Sequence, residues 1–407
     1  MRSKSDKKKS LVPRLRFPEF REAGAWEKKR LGTQGGFLTP LSGKSAKDFD
    51  AGDAKFIPYM NVFSNTFTDI QDLRSVIITD DESQNAVAKG DVFFTVSSET
   101  PEEAGMSSVL LGDVDRCYLN SFCALFRFDD HLSPNLIFLG YLLRSRSVRC
   151  HLSRGAQGAT RYNISKLVFK ELPLVFPLAK EQQKIAHCLS SLDEVIGLQA
   201  KKVQALKQHK KGLMQQLFPA EGETTPRLRF PEFREAGAWD KQRIGDLLSL
   251  EYGAPLPEGS RLEGDIPVIG SNGVVGYHSE PLIKGPAIVI GRKGSAGQVS
   301  WIDSPCYPID TTFFVDLSRK DCQLRFIYLL LEHHRLQELV REGGVPGLNR
   351  DDVYAVKATI SKHTEQQKIA HCLSSLDEVI GLESHKLDAL KNLKKGLMQQ
   401  LFPQDVA

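Results

Sequence analysis

A chain of 407 residues exceeds the roughly 250–300 residues at which a single hydrophobic core stops growing, so two or more domains are expected. Its 41% hydrophobic and 26% charged residues are ordinary for a globular protein, and a net charge of +4 is too small to identify a nucleic-acid partner. The seven cysteines form no CxxC pair, which excludes zinc-ribbon and redox motifs and favours a cytosolic (cytoplasmic) protein with reduced thiols.

The chain consists of repeated segments around two unrelated ones. Three segments occur twice: PRLRFPEFREAGAWEKKRLG at 13–32, which returns at 226–245 with 17 of 20 positions identical, EQQKIAHCLSSLDEVIGL at 181–198 and 365–382, and KKGLMQQLFP at 210–219 and 394–403. The variable segments between them, 33–178 and 246–362, look largely unrelated. This order indicates a tandem duplication whose constant frame surrounds different inserts.

The repeats predict the domains in chain order. They are a basic tail at 1–12, a globular domain at 13–178, a long helix at 179–219, a linker at 220–225, a second globular domain at 226–362, a second long helix at 363–403 and a tail at 404–407. The basic tail is followed by no apolar segment, so we expect no signal peptide. No run of about 18 apolar residues is present, so we expect no membrane span.

Both globular domains have the pattern of mixed α+β structure. Apolar β-branched runs predict strands at 76–79, 91–96, 118–128, 287–291 and 311–317, and amphipathic stretches predict helices at 134–152 and 321–341.

The two long helices have heptad periodicity. Apolar residues recur in alternating steps of four and three, a pattern typical of a coiled-coil seam. The seam residues are Ile185, Leu189, Leu192, Ile196, Val203 and Leu206 in the first helix and Ile369, Leu373, Leu376, Ile380, Leu387 and Leu390 in the second. Polar residues interrupt both seams at matching places, Gln199 and Lys210 in the first helix and Glu383 and Lys394 in the second, which favours pairing of the two helices with each other. Antiparallel pairing would relate the halves by a pseudo-two-fold axis, but the symmetry of the repeats alone does not fix the direction. The alternative is that each helix packs on its own domain.

Charge is distributed unevenly within the variable segments. Residues 33–143 contain seven basic and 16 acidic side chains, whereas 144–170 contain seven basic and no acidic ones. Residues 281–302 likewise contain Lys284, Arg292 and Lys293 without an acid. A basic face on an acidic body suits phosphate contact. A solvated charge run is the equally open alternative.

Two short segments, GATRYN at 158–163 and GVPGLN at 344–349, align across the variable domains. A glycine-bearing turn lets the backbone approach a ligand closely, and asparagine can pair with adenine. The alternative is that Asn163 and Asn349 cap helices.

Catalytic motifs are absent from the sequence. The Gly43-Lys44-Ser45 run lacks the earlier glycine of a Walker A loop, because Leu38 stands there. No NPPY, DPPY or HExxH motif occurs, and Asp53-Ala54-Lys55 lacks the acidic constellation of a nuclease. We therefore predict a non-catalytic chain; the alternatives are a stand-alone nuclease or methyltransferase and an orphan DNA-binding adaptor.

The repeats, together with GDVFFTVSSETPEEAGMSS at 90–108, YLNSFC at 118–123 and GRKGSAG at 291–297, resemble type I restriction-modification specificity subunits over nearly the whole chain from residue 13. The resemblance implies two target recognition domains, each reading one half of an asymmetric bipartite DNA site, held apart by an antiparallel two-helix coiled coil. It implies two modification (methyltransferase) and two restriction (endonuclease/translocase) subunits as partners. These would use S-adenosylmethionine, ATP and Mg, while this chain would bind no cofactor or metal and contain no catalytic residue.

The resemblance also implies DNA-facing residues on loops of both domains. They are Ser97, Ser98, Glu99, Thr100, Arg161, Tyr162 and Asn163 in the first domain and Ser271, Asn272, Tyr277, Arg292, Lys293, Ser295 and Asn349 in the second. Serine, threonine, asparagine and arginine suit base edges and phosphates alike. The chain departs from the family pattern at Val96, where a basic residue is expected, so contacts by that loop are expected to differ.

Overall fold

The computed structural model describes residues 11–129, 134–317, 322–340 and 347–404. These residues divide into two compact units. The first unit comprises the described residues up to Gln199 and those from Lys386 onward, and the second comprises Ala200–His385. Each unit therefore contains one copy of the constant segment that precedes the variable one (the lead-in, residues 13–32 or 226–245), one variable segment and a part of each long helix.

The first unit is built on two main sheets. Its strands are β1 (Glu27–Arg30), β2 (Gly35–Leu38), β3 (Phe49–Ile57), β4 (Arg74–Val76), β5 (Val92–Thr95), β6 (Ser97–Ser98), β7 (Ser107–Val109), β8 (Cys117–Leu119), β9 (Cys123–Phe128), β10 (Tyr162–Asn163) and β11 (Pro173–Phe176). One sheet has the order β2-β9-β5-β7 and is antiparallel; the other has the order β4-β3-β8, with β3 and β8 parallel. Two short pairs, β1-β11 and β6-β10, complete the unit.

The second unit has the same sheet topology although its variable sequence differs. Its strands are β12 (Asp240–Arg243), β13 (Ser249–Tyr252), β14 (Ile266–Gly270), β15 (Gly273–His278), β16 (Ala287–Gly291), β17 (Val299–Ile302), β18 (Tyr307–Pro308), β19 (Thr312–Asp316) and β20 (Lys357–Ile360). The order β13-β19-β16-β17 matches β2-β9-β5-β7, and β15-β14-β18 matches β4-β3-β8, again with one parallel pair. The central strands β5 and β16 are buried along their whole length, as their continuous apolar sequences require.

The helices are α1 (Tyr59–Ser64), α2 (Leu136–Leu143), α3 (Arg146–Gly155), α4 (Lys166–Lys170), α5 (Ala179–Leu217), α6 (Ile244–Leu247), α7 (Leu324–His333), α8 (Arg350–Ala355) and α9 (His363–Leu401). The mixture of helices and sheets in each unit confirms the α+β class. In the part of the chain that the structure describes, no helix has the length and apolarity needed to cross a membrane.

Four of the predicted elements differ from the observed ones. The strand predicted at 76–79 is observed as β4, which ends at Val76, three residues before the predicted end. The run 118–128 is broken into β8 and β9 because the Asn120 side chain accepts a hydrogen bond from the amide of Phe122 (2.9 Å), forming a turn. The helix predicted at 134–152 is two helices, α2 and α3, and that at 321–341 ends at His333, with residues 321 and 341 outside the described ranges.

The two 39-residue helices α5 and α9 confirm the predicted long helices. Within the second unit, Lys202 pairs with Glu383, and Lys210 lies 2.7 Å from the Asp377 carboxylate. Residue numbers thus rise along one helix as they fall along the other, which confirms the antiparallel direction. The same constant residues form the reciprocal pair in the first unit, where Lys394 lies 2.6 Å from Asp193.

The seam residues are all buried or half-buried. Ile185 and Leu189 belong to the core cluster of the first unit, and Ile369 and Leu373 belong to that of the second. The start of each long helix therefore packs on its own domain as well as near the end of the other helix. Both arrangements that the sequence left open occur together.

The constant lead-ins join the two long helices within each unit. In the first unit Arg16 donates to both oxygens of Glu181 (2.8 and 2.7 Å), and the Leu15 amide donates to the Gln400 carbonyl (3.0 Å). Arg229 and Glu365 form the same pair in the second unit (2.7 and 2.8 Å). Both pairs are buried, with side chains no more than 7% exposed.

Candidate nucleic-acid interface

A loop after the central strand β5 collects most of the residues predicted for the first domain. Strand β6 pairs with β10 so that Ser98 lies opposite Tyr162 and Ser97 opposite Asn163. Glu99 and Thr100 follow on the exposed part of the loop. Residues more than 60 positions apart in the sequence therefore share one surface.

A pocket of about 410 Å³ lies beside this loop. Its lining combines the predicted Ser97, Ser98, Glu99 and Arg161 with five residues that the sequence reasoning missed: Tyr59, Met60, Phe63, Glu103 and Phe122. Met60 and Phe122 are 58% and 61% exposed, although both are large and apolar. Phe122 stands within the YLNSFC segment, and an apolar residue in a turn between two strands was the available signal.

Tyr59 ties the pocket wall to the loop. Its hydroxyl donates to the Ser97 carbonyl (2.7 Å), and its ring stacks on Phe63 at a centroid distance of 5.9 Å. Burial raises the pKa of Tyr59, so its hydroxyl stays protonated and keeps this hydrogen bond.

The loop after β16 occupies the equivalent place in the second unit. Thr95 donates to the Met106 carbonyl and accepts from Gly105, and Gly291 donates to the Gln298 carbonyl and accepts from Gly297 in the same way. The Val96 carbonyl accepts a hydrogen bond from the Ile164 amide, and the Arg292 carbonyl accepts one from the Leu348 amide (both 2.9 Å). Val96 therefore corresponds to Arg292, and the basic residue expected at position 96 is present at the matching position of the second unit.

The alignment of Asn163 with Asn349 is wrong by two residues. Asn163 pairs with Ser97, which follows Val96, and Gly347 pairs with Lys293, which follows Arg292. Asn163 therefore corresponds to Gly347. Asn349 accepts from the Asp351 amide (3.0 Å) and caps α8; its counterpart Ser165 caps α4. The constant helices repeat at an offset of 184, which also sets this register, whereas the shared glycine and asparagine suggested 186. The capping alternative thus holds for Asn349, while Asn163 lies on β10.

The other residues predicted for the second domain are only partly brought together. Ser271 donates to the Thr311 carbonyl (2.5 Å), and the Ser295 hydroxyl lies 3.4 Å from the Asn272 side chain, so these three border the loop after β16. Tyr277 is 59% exposed but lies opposite Pro267, away from the Ser271–Asn272 turn.

The two cations of this loop differ in their surroundings. The Arg292 guanidinium donates to the Asp310 carbonyl (2.7 Å) and lies over the Tyr252 ring (5.1 Å), so local contacts orient it. Lys293 is exposed. Lys293 is therefore the more accessible of the two to a ligand.

The basic run 144–170 is not a uniform basic face. Arg144 donates to the carbonyls of Ser107, Val62, Phe63 and Asn65, at 2.8–3.0 Å. Arg149 donates to those of Glu102, Ala104 and Gly105, at 2.5–2.7 Å. Burial lowers the pKa of each to about 10, which still leaves them charged near neutral pH. The interpretation as phosphate contacts is wrong for these two, and the exposed cations of the run are Arg146, Arg154, Arg161, Lys166 and Lys170.

These two arginines position the pocket. Arg144 holds the C-terminal end of α1, which supplies Tyr59, Met60 and Phe63. Arg149 holds the far end of the loop that begins at Ser97. The exposed surface between them offers hydroxyl, carboxylate and guanidinium groups, which suit the recognition of a polar edge by hydrogen bonds. Among the described residues, no three His, Cys, Asp or Glu side chains are grouped to hold a metal ion.

Comparisons with known proteins agree on one family. The model of the "Type I restriction modification DNA specificity domain" matches residues 26–208 and 237–392. A type I restriction enzyme specificity subunit, MjaVIII, of Methanocaldococcus jannaschii is 22% identical over 297 residues, covering 65% of this chain and 69% of that protein.

Solved structures share the fold. The type I restriction-modification S subunit from M. genitalium superposes with a TM-score of 0.60 at 18% identity, covering 97% of this chain and 99% of that one. A chain from a structure on complex assembly and conformational transition of the type I R-M system gives a TM-score of 0.57 at 14% identity, covering 93% and 98%.

Proposed function

This chain belongs to the family of type I restriction-modification DNA specificity domains, and from that premise we propose that its two units read the two halves of an asymmetric bipartite DNA site. It thereby directs methylation and cleavage by partner subunits. One observation carries the asymmetry: the two units share a sheet topology but place different side chains on their equivalent loops. Different side chains read different bases, so the two half-sites differ.

We propose that catalysis belongs to the partners. Its sequence contains no NPPY or DPPY motif for methyl transfer, no Walker A loop for ATP hydrolysis and no HExxH motif for metal-assisted cleavage. Two modification subunits would supply S-adenosylmethionine chemistry, and two restriction subunits would use ATP and Mg in the cytoplasm. Two copies of each fit the duplicated frame, because a pseudo-symmetric chain offers each partner two equivalent surfaces.

Exchange of one variable segment tests the proposed function. Replacing residues 33–178 with the corresponding segment of another specificity subunit is expected to change only one half of the methylated motif. The second unit keeps its own core and loops, so the other half should stay the same. Methylome sequencing of a host carrying the complex measures both halves at once. A change in both halves, or a wild-type motif without two parts, would contradict the proposal.

Arg161 offers a test of direct base reading. It is exposed at the pocket beside Ser98 and Glu99. If Arg161→Ala removes a base contact, binding should weaken by about 1–3 kcal/mol and one position of the first half-site should become relaxed. Binding measured on duplexes with each base pair exchanged gives the answer. An equal loss on all sequences would instead identify a phosphate contact.

The division of labour has its own test. The purified chain, given DNA with S-adenosylmethionine or Mg²⁺, is expected neither to methylate nor to cut it. The same preparation with its modification subunits should methylate. Activity of the chain alone would favour the stand-alone enzyme, and failure to associate with any methyltransferase subunit would favour an orphan adaptor.

A further inference from the structure

We propose that the loop after β5 reads an exocyclic amine of a nucleobase, on adenine or cytosine, through the carboxylate of Glu99, whereas the equivalent loop after β16 reads base acceptors through cations. This inference rests on the proposed function and adds the chemical group that the first unit selects.

The first step is the equivalence of the two loops. Both leave a buried central strand, and both are closed by the same pair of backbone hydrogen bonds onto a glycine, Gly105 or Gly297. These glycines have φ values of +69° and +79°, and a Cβ atom at either would lie within 2.8 Å of the packed neighbour. Only glycine therefore closes the loop in this way without strain, and the two loops present their side chains from matching places.

The second step is their opposite charge. Residues 96–104 contain Glu99, Glu102 and Glu103 and no basic residue. Residues 292–296 contain Arg292 and Lys293 and no acidic residue. In the major groove, arginine and lysine match the acceptors of guanine, whereas a carboxylate accepts from the amine of cytosine. Adenine presents an amine there as well.

The third step is the surface around Glu99. It lines the pocket together with Ser98, Arg161, Met60 and Phe122. Exposed apolar side chains suit the flat face or methyl group of a base, and they offer nothing to a phosphate.

A second carboxylate, that of Glu103, lines the pocket beside Glu99. Glu103 accepts from the hydroxyls of Ser98 (3.2 Å) and Thr100 (3.0 Å), so hydrogen bonds hold it in the loop. Two carboxylates beside one arginine repel a phosphate oxygen but attract an N–H donor. Glu99, which is exposed at this pocket, is the acceptor best placed to discriminate bases.

The experiment removes amines one at a time from the DNA. The complex of this chain with its modification subunits is given duplexes of its site in which one adenine is replaced by nebularine, or one cytosine by 2-pyrimidinone, at each position of the first half-site. These analogues lack only the amine. We expect the analogue at one position to weaken binding by the wild type about tenfold. The Glu99→Ala variant should bind the unmodified duplex and the duplex with the analogue at that position equally. Whether that position is an adenine or a cytosine identifies the source of the amine.

Glu102→Ala is the matched control, because it removes the same charge from the same loop, and its side chain is exposed and does not line the pocket. It should retain the wild-type penalty. Unaltered reading of the second half-site by Glu99→Ala shows that the complex is intact. A penalty that persists in Glu99→Ala, or no amine that matters to the wild type, overturns the inference while the bipartite motif remains. Loss of the bipartite motif in the wild type would instead overturn the proposed function and the inference with it.

Discussion

Glu181→Ala is expected to lower the free energy of unfolding of the first unit by about 3–5 kcal/mol. Glu181 is buried and accepts both hydrogen bonds of the Arg16 fork, so its removal leaves a buried guanidinium without a counter-charge. Among the described residues, Arg16 then keeps only the Gly24 carbonyl as an acceptor, at 2.6 Å. The loss falls at the joint between the lead-in and the start of α5. Urea unfolding of the variant and the wild type measures it.

The chain supplies two comparisons for this variant. Glu365→Ala removes the same bond in the second unit and should cost a similar amount, because the Arg229 fork has the same geometry. Lys184→Ala removes an exposed ion pair to Glu19 at the same joint, where screening by solvent keeps the loss below about 1 kcal/mol. Equal effects of Glu181→Ala and Lys184→Ala would show that the buried pair contributes no more than a surface one.

Arg149→Met is expected to abolish reading of the first half-site while the second half-site is still read. The variant leaves three carbonyls, of Glu102, Ala104 and Gly105, without their donor. Each hydrogen bond to a charged group contributes roughly 1.5–3 kcal/mol, so the end of the loop should no longer be held in one conformation. Methylome sequencing of a host with the variant complex gives both halves of the motif from one sample.

Arg149→Lys separates charge from geometry. Lysine keeps the positive charge, but one ammonium cannot reproduce the planar fork that reaches three carbonyls. We therefore expect nearly the same loss of first-half reading as with methionine. If lysine restores the motif fully, Arg149 acts through its charge on DNA and not through the loop. A uniform loss of both halves would indicate a folding defect and would contradict a local positioning role.

The sequence alone predicted the frame of this protein well. The long helices and their seam follow from periodicity, which is written in neighbouring residues. The central strands β5 and β16 could be predicted equally well, because a continuous apolar run leaves few alternatives to a buried strand. The family could be identified for the same reason, since its repeated segments are contiguous.

The candidate site could be predicted only in part. Ser97, Ser98 and Glu99 were found within a contiguous motif, but Tyr59, Met60 and Phe63 reach the pocket from a helix far earlier in the chain. The register of Asn349 was missed because two short segments can be matched at more than one offset. The residues that correspond are identified by the backbone pairing of β6 with β10 and of Lys293 with Gly347, and not by the amino acids that the two segments share.

The sequence by itself thus determined the duplicated frame, the pairing of its two long helices and the family of this protein, because local periodicity and repetition encode them. Only the tertiary structure decided which cations face solvent. Arg144 and Arg149 look like members of a basic run, but they are bonded to backbone carbonyls that are 37 to 82 residues away in the chain. Every residue has a backbone carbonyl, so the sequence does not show which carbonyls an arginine will contact. An arginine that is bonded in this way can be recognised only in the folded structure.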